Sequence, residues 1–227
     1  ITFKLSPSEV RKFKKLVTQN KEYGGVLNIK KNRISNVSAQ KGGNYSISYN
    51  YKNENYEYSY HTHAYSPKFK HVNKDSVVKN INEMMDYDLN EALYIFECDI
   101  MKIHPPSPQD CYVCSISKKQ GMIVFTQEGV YQLHYTGMEP MTLDCKDKID
   151  KYYYKCIWGK SRKWVTKCLE GDNEDILKCI KGCLKYRKSS HLRDNIVDYL
   201  KFLKENGIEC KLIPWKKASE WVFFSNK

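Results

Sequence analysis

Residues 56–63, Tyr-Glu-Tyr-Ser-Tyr-His-Thr-His, alternate without a break between two sets of side chains. That alternation commits the segment to a strand, because successive side chains on extended backbone point to opposite faces. Tyr56, Tyr58, Tyr60 and Thr62 are predicted to face a core, and Glu57, Ser59, His61 and His63 the opposite side. Two imidazoles two residues apart on one face lie ~7 Å apart at the backbone and can converge on one cation. Neutral imidazole is also the commonest zinc donor. Neighbouring histidines on an exposed strand are equally ordinary polar surface, so the pair needs support from elsewhere in the chain.

The segments around this strand alternate between helix and strand signals. A helix is predicted over residues 6–19. Ser6 caps it, Pro7 suits its first turn, Glu9 completes a capping box, and Val10, Phe13, Leu16 and Val17 share one face. Residues 25–29 and 45–49 read as strands, with 31–44 carrying Asn, Ser and a Gly42-Gly43 turn. Residues 76–85 read as a helical patch and 92–103 as a β-like run. Residues 122–126 and 130–135 flank a glycine-containing turn and predict a hairpin. Residues 147–163 show no clean period. Amphipathic helices are predicted over 175–187 and 193–205, the second closed by Gly207, and strands over 208–213 and 221–224.

Two further pieces carry chemistry. In Pro105-Pro106-Ser107-Pro108-Gln109-Asp110, Ser107 reads as a helix N-cap and Asp110 as an acid favoured at the positive helix end. Ser6-Pro7-Ser8-Glu9 has the same grammar with no metal implied. The functional alternative is a carboxylate fixed on a first helical turn, with a hydroxyl one turn away. In Lys21-Glu22-Tyr23-Gly24-Gly25-Val26-Leu27, Glu22 is either a polar turn residue or a carboxylate beside a metal.

Taken in order, the pieces are a helix, Glu-x-Gly-Gly-x-Leu, His-x-His ending a strand, Ser-x-x-Asp opening a helix, and an apolar hairpin. This resembles the JAMM family of zinc metalloproteases, also called the MPN domain, over roughly residues 6–135. The resemblance implies an α+β fold, an MPN-like curved β-sheet flanked by helices. It implies zinc bound by His61, His63 and Asp110 with water as fourth ligand. It makes Glu22 the base that takes the water's proton, and Ser107 the donor to the oxyanion. It implies isopeptide cleavage that removes ubiquitin or a ubiquitin-like tag from lysine side chains.

Two features depart from the family pattern. Ala64 stands where the family has proline, and 44 positions separate His63 from Ser107, where the family has a much shorter spacer. An insertion over about 64–103 accounts for the difference, since long loops between fixed ends add little closure entropy. It is read either as a tag-binding or lid element or as a passive decoration. His104 is an alternative metal donor, while His71, His134 and His191 read as ordinary polar residues. The predicted organisation is a catalytic domain over 1–145 and a basic, cysteine-containing α+β extension over 146–227.

Composition bounds the partners and the compartment. Net charge is +12, with only five arginines among 38 basic residues, and the surplus is larger in residues 141–227 (+8) than in 1–140 (+4). A basic half with Tyr152, Tyr153, Tyr154, Trp158 and Trp164 suits an acidic protein surface or a nucleic acid. The paucity of arginine disfavours a nucleic acid, and abundant Lys, Asn, Ile and Tyr equally fit an AT-rich genome such as that of a large DNA virus. A catalytically inactive MPN scaffold is the other alternative. No apolar run approaches the ~20 residues of a spanning helix, so no membrane role is expected. The odd number of cysteines, nine, and the lack of a secretory signal point to reduced thiols in a cytoplasmic or nuclear compartment. Pairs such as Cys111/Cys114 and Cys179/Cys183 fit small core residues better than a second zinc site.

Overall fold

The computed structural model describes residues 2–3, 5–19, 21–31, 33–43, 47–48, 56–63, 105–117, 119–153, 155–156, 167, 189–218 and 222–223. The elements expected over 76–85, 92–103 and 175–187 lie outside the described residues, as do His71, His104, Cys98, Cys168, Cys179 and Cys183. Two compact units divide the chain: Ile1–Ser66, Ile103–Asp150 and Leu200–Lys227 in one, Pro67–Lys102 and Lys151–Tyr199 in the other.

The first unit is mixed α+β, built on an open mixed sheet flanked by helices. Its strands are β2 (Tyr23–Lys30), β3 (Arg33–Lys41), β4 (Tyr58–Thr62), β5 (Gly121–Phe125), β6 (Gly129–Tyr135) and β7 (Ile208–Pro214). The order across the sheet is β3-β2-β4-β5-β6-β7. Only β4 and β5 run parallel, joined by a crossover that contains helix α2 (Pro108–Ile116). A separate two-stranded pairing joins β1 (Thr2–Phe3) to β8 (Val222–Phe223). β7 comes from the stretch expected as a C-terminal extension, and it pairs with β6 from Gly129↔Pro214 to Tyr135↔Ile208.

Helix α1 (Pro7–Val17) covers one face of this sheet. Its capping box is formed as predicted: Ser6 Oγ accepts from Glu9 N–H, and Glu9 Oε2 accepts from Ser6 N–H at 2.6 Å. Phe13 and Val17 are buried against Leu27, Tyr58, Tyr60, Ile123 and Phe125. The Phe13 and Phe125 rings stack at 3.8 Å, and Tyr60 meets both edge-on. Each such buried aromatic contributes about 1.5–3 kcal/mol, so this face anchors the strand that carries the histidines. The predicted alternation therefore holds over residues 58–61: Tyr58 and Tyr60 enter this core, and Ser59 and His61 face the other side of the sheet, where Cys111 and Cys114 of α2 are also buried.

Three segments differ from the sequence reading. Residues 33–41 form a full strand against β2, where the sequence offered only Asn, Ser and a Gly42-Gly43 turn; most of their described side chains are exposed, so no apolar alternation marks them. Residues 47–48 are not in a strand, although 45–49 alternate. Helix α3 (Leu143–Tyr153) occupies a stretch without a helical period, because only Ile149 and Tyr153 are deeply buried while Leu143 is exposed. Its start is held by Thr142, whose Oγ1 accepts from Cys145 N–H at 3.3 Å. Helix α4 (Ser189–Glu205) begins earlier than expected and stops where predicted, at Gly207 with φ +80°. In the second unit Tyr153 and Tyr199 are in ring contact at 5.0 Å. Among the described residues no helix is long and apolar enough to cross a membrane.

Candidate metal centre

The ligating atoms of His61, His63 and Asp110 all lie within 4.8 Å of one another, and among the described residues they are the one such His/Cys/Asp/Glu group. Each arrives by a different local rule. His61 is held inside β4 between Gly24 of β2 and Val124 of β5. His63 lies one residue past the strand end, and its backbone N–H extends the ladder by donating to Phe125 O at 2.9 Å. Asp110 is the third residue of α2, where the Ser107 capping box fixes it. Ser107 N–H and Ser107 Oγ donate to Asp110 Oδ2 at 2.6 and 2.8 Å, and Asp110 N–H donates back to Ser107 Oγ at 3.2 Å. The cap and the ligand roles, posed as alternatives by the sequence, are compatible in one residue.

The donor triangle is of the right size for a small cation. His61 Nε2 lies 3.1 Å from His63 Nε2 and 3.2 Å from Asp110 Oδ1, and His63 Nε2 lies 3.4 Å from Asp110 Oδ2. Four donors at 2.0–2.1 Å around a tetrahedral zinc are separated by about 3.3 Å. Two imidazoles and a carboxylate are also the mixed nitrogen–oxygen donors that zinc accepts while leaving a fourth position open. The residues present fit the metal on both counts.

Electrostatics set the two carboxyls of the site apart. Burial alone would raise the Asp110 carboxyl, but the charges and hydrogen bonds of His61 and His63 outweigh it and hold Asp110 well below the usual carboxylate range. Glu22 behaves oppositely. Burial, opposed by His63 and reinforced by Asp110, pushes it up to about 8. Its position is fixed through its backbone: Glu22 N–H donates to Gly43 O and Gly42 N–H to Glu22 O, both at 2.8 Å. Tyr23 N–H donates to Thr62 Oγ1 at 2.9 Å, which ties the start of β2 to the end of β4. Glu22, His61, His63, Ser107 and Asp110 are thus brought together from three separate stretches of chain.

Gly24 makes the approach of β2 to β4 possible. A Cβ built there would lie 2.8 Å from Tyr60 O and 2.9 Å from His61 Cβ, closer than real contacts allow. Gly24→Ala is expected to lower stability by about 1–3 kcal/mol and to weaken zinc binding by displacing His61. Urea denaturation and zinc titration of the variant read both effects, and wild-type values in both would show that the strands have room to spare.

Of the other candidates, His134 reads from the sequence as an ordinary polar residue. It is buried on β6, and its Nδ1 bonds Gln120 O at 2.7 Å. Cys111 and Cys114 are buried, as expected of small core residues. Burial, with Cys114 and Asp110 nearby, pushes the Cys210 thiol up, away from the thiolate a metal would need. Among the described residues Cys111, Cys114, Cys145, Cys156 and Cys210 form no disulfide. A scan against protein-family models and searches of curated proteins and of solved structures find no match.

Proposed function

We propose that the chain is a zinc-dependent isopeptidase of the JAMM type, which removes ubiquitin or a ubiquitin-like tag from lysine side chains. The convergence of His61, His63 and Asp110 donor atoms within 4.8 Å, although His63 and Ser107 are 44 positions apart, is the observation that carries this reading. The order of the motifs along the chain supports the family assignment, and the buried Glu22 beside the triad supports an enzyme over an inactive scaffold.

His61, His63 and Asp110 would hold the zinc. Bound there, the ion supplies Lewis acidity, lowering the pKa of a coordinated water towards ~7 and polarising the scissile carbonyl. Glu22, buried and electrostatically coupled to His63 and Asp110, would take a proton from the nucleophile and return it to the leaving amine. Ser107 holds Asp110 twice, by its backbone N–H and by its hydroxyl. The N–H bond at 2.6 Å keeps Asp110 in place if the hydroxyl turns away. Ser107 Oγ–H is therefore free to serve the developing oxyanion without releasing the carboxylate.

Metal analysis of the purified protein, together with cleavage of a panel of linked di-ubiquitins, tests the proposal. About one zinc per chain is expected, with cleavage of at least one linkage that stops on chelation and returns with zinc. A protein that takes up no zinc from micromolar free metal overturns the metal centre. A zinc-loaded protein that cleaves neither ubiquitin nor ubiquitin-like conjugates overturns the substrate class.

A further inference from the structure

We infer that Ser59 is a positioning residue for His61, accepting from the His61 Nδ1–H through one bridging water, an inference that rests on the metal centre proposed above. Ser59 lies two residues before His61 on the same face of β4 and is wholly buried. Its Oγ has no hydrogen-bond partner. Buried polar side-chain atoms nearly always have one, so a wholly buried hydroxyl without a partner calls for an explanation.

The ring of His61 supplies that explanation. Its contacts to Asp110 and to His63 are made through Nε2, which leaves Nδ1 for a second partner. The two imidazole centroids are 5.0 Å apart, less than the ~7 Å strand repeat, so the two rings converge. Ser59 is the residue that precedes His61 on that face of the strand. An imidazole that binds a metal through Nε2 carries its proton on Nδ1 and donates it to an acceptor, which fixes tautomer and ring orientation. Direct contact is not made in the structure, and a single water joining the two groups satisfies both.

Zinc affinity measured by competition with a chromophoric chelator, melting of the zinc-free protein, and the 15N resonance of His61 Nδ1 in the zinc-loaded protein together test the inference. Ser59→Ala is expected to weaken zinc about 10-fold or more and to shift the His61 Nδ1 signal, while the zinc-free protein melts at the wild-type temperature or above it. Ser59→Thr, which keeps the hydroxyl, is expected to restore affinity. If Ser59 were only a misplaced polar group, removing it would raise the melting temperature and leave affinity and the Nδ1 signal unchanged, and that result overturns the inference. Wild-type protein that binds no zinc overturns the metal centre, and this inference with it. Wild-type binding with unaltered affinity in Ser59→Ala removes Ser59 alone.

Discussion

Glu22→Gln is expected to keep its full complement of zinc and to lose turnover by about 10²–10⁴-fold, the span of a general acid–base contribution. Glutamine fills the same volume and cannot accept the proton. Because Glu22 is placed by its backbone pairing with Gly42 and Gly43, the exchange leaves its position unchanged. The metal donors are other residues, so zinc content separates loss of the base from loss of the site. Turnover retained in the zinc-loaded variant removes Glu22 from the reaction.

The same variant reads out a pH effect in the zinc-free protein. Glu22 is pushed up to about 8 from an ordinary 4.5. Between these values the folded protein holds a proton that the unfolded chain has released. The stability that comes from keeping this carboxyl neutral is complete below pH 4.5 and is lost as pH rises through 8. Wild-type protein stripped of metal should therefore become less stable relative to Glu22→Gln as pH rises across that window. Parallel melting curves for the two proteins between pH 5 and 8 would show that Glu22 is not held neutral by its surroundings.

The sequence made the site more legible than the sheet, for physical reasons. Strand β4 announced itself because one face packs Tyr58 and Tyr60 against α1 and the other presents His61, so period-2 patterning survived in the residues themselves. Ser6 and Ser107 each wrote a capping box, a local device that depends on residues three apart and on nothing distant. β3 left no such trace. It is held by backbone pairing to β2, which any sequence can make, and its exposed side chains carry no apolar rhythm. α3 was hidden for a related reason, since Ile149 and Tyr153 alone are too few to set a period. The approach of α2 to β4 could not be read at all from spacing, because 44 positions separate His63 from Ser107. Only the resemblance of the motif order to a known family argued that Asp110 would meet the histidines. Ser59 gave no signal either, because a serine on a strand face is commonplace until its burial is known.

Asp110 carries two loads that substitution can separate. Asp110→Ala removes the acceptor of the Ser107 N–H and hydroxyl bonds along with the carboxylate that faces both imidazoles. It should lose zinc and also lower the stability of the zinc-free protein by about 1 kcal/mol, the scale of a lost helix cap. Asp110→Asn keeps an oxygen able to accept from Ser107 N–H, so the cap survives, but its amide is a poor zinc donor. A tight four-donor zinc site is worth about 10–16 kcal/mol, so one donor accounts for ~3 kcal/mol and its loss for roughly 100-fold or more in affinity. Glu9→Gln supplies the control, because Glu9 holds the same place in the α1 capping box and, among the described residues, is in no ion pair with a histidine. The expected pattern is zinc uptake lost in both Asp110 variants and intact in Glu9→Gln, with α2 weakened only in Asp110→Ala. The pH response should follow, since Asp110 is held below its ordinary 3.8. Its contribution is present above that value and is lost as pH falls, and Asp110→Asn should blunt that acid sensitivity. Full zinc affinity in Asp110→Asn would make this carboxylate a helix cap alone and leave two histidines, too few donors for the centre proposed.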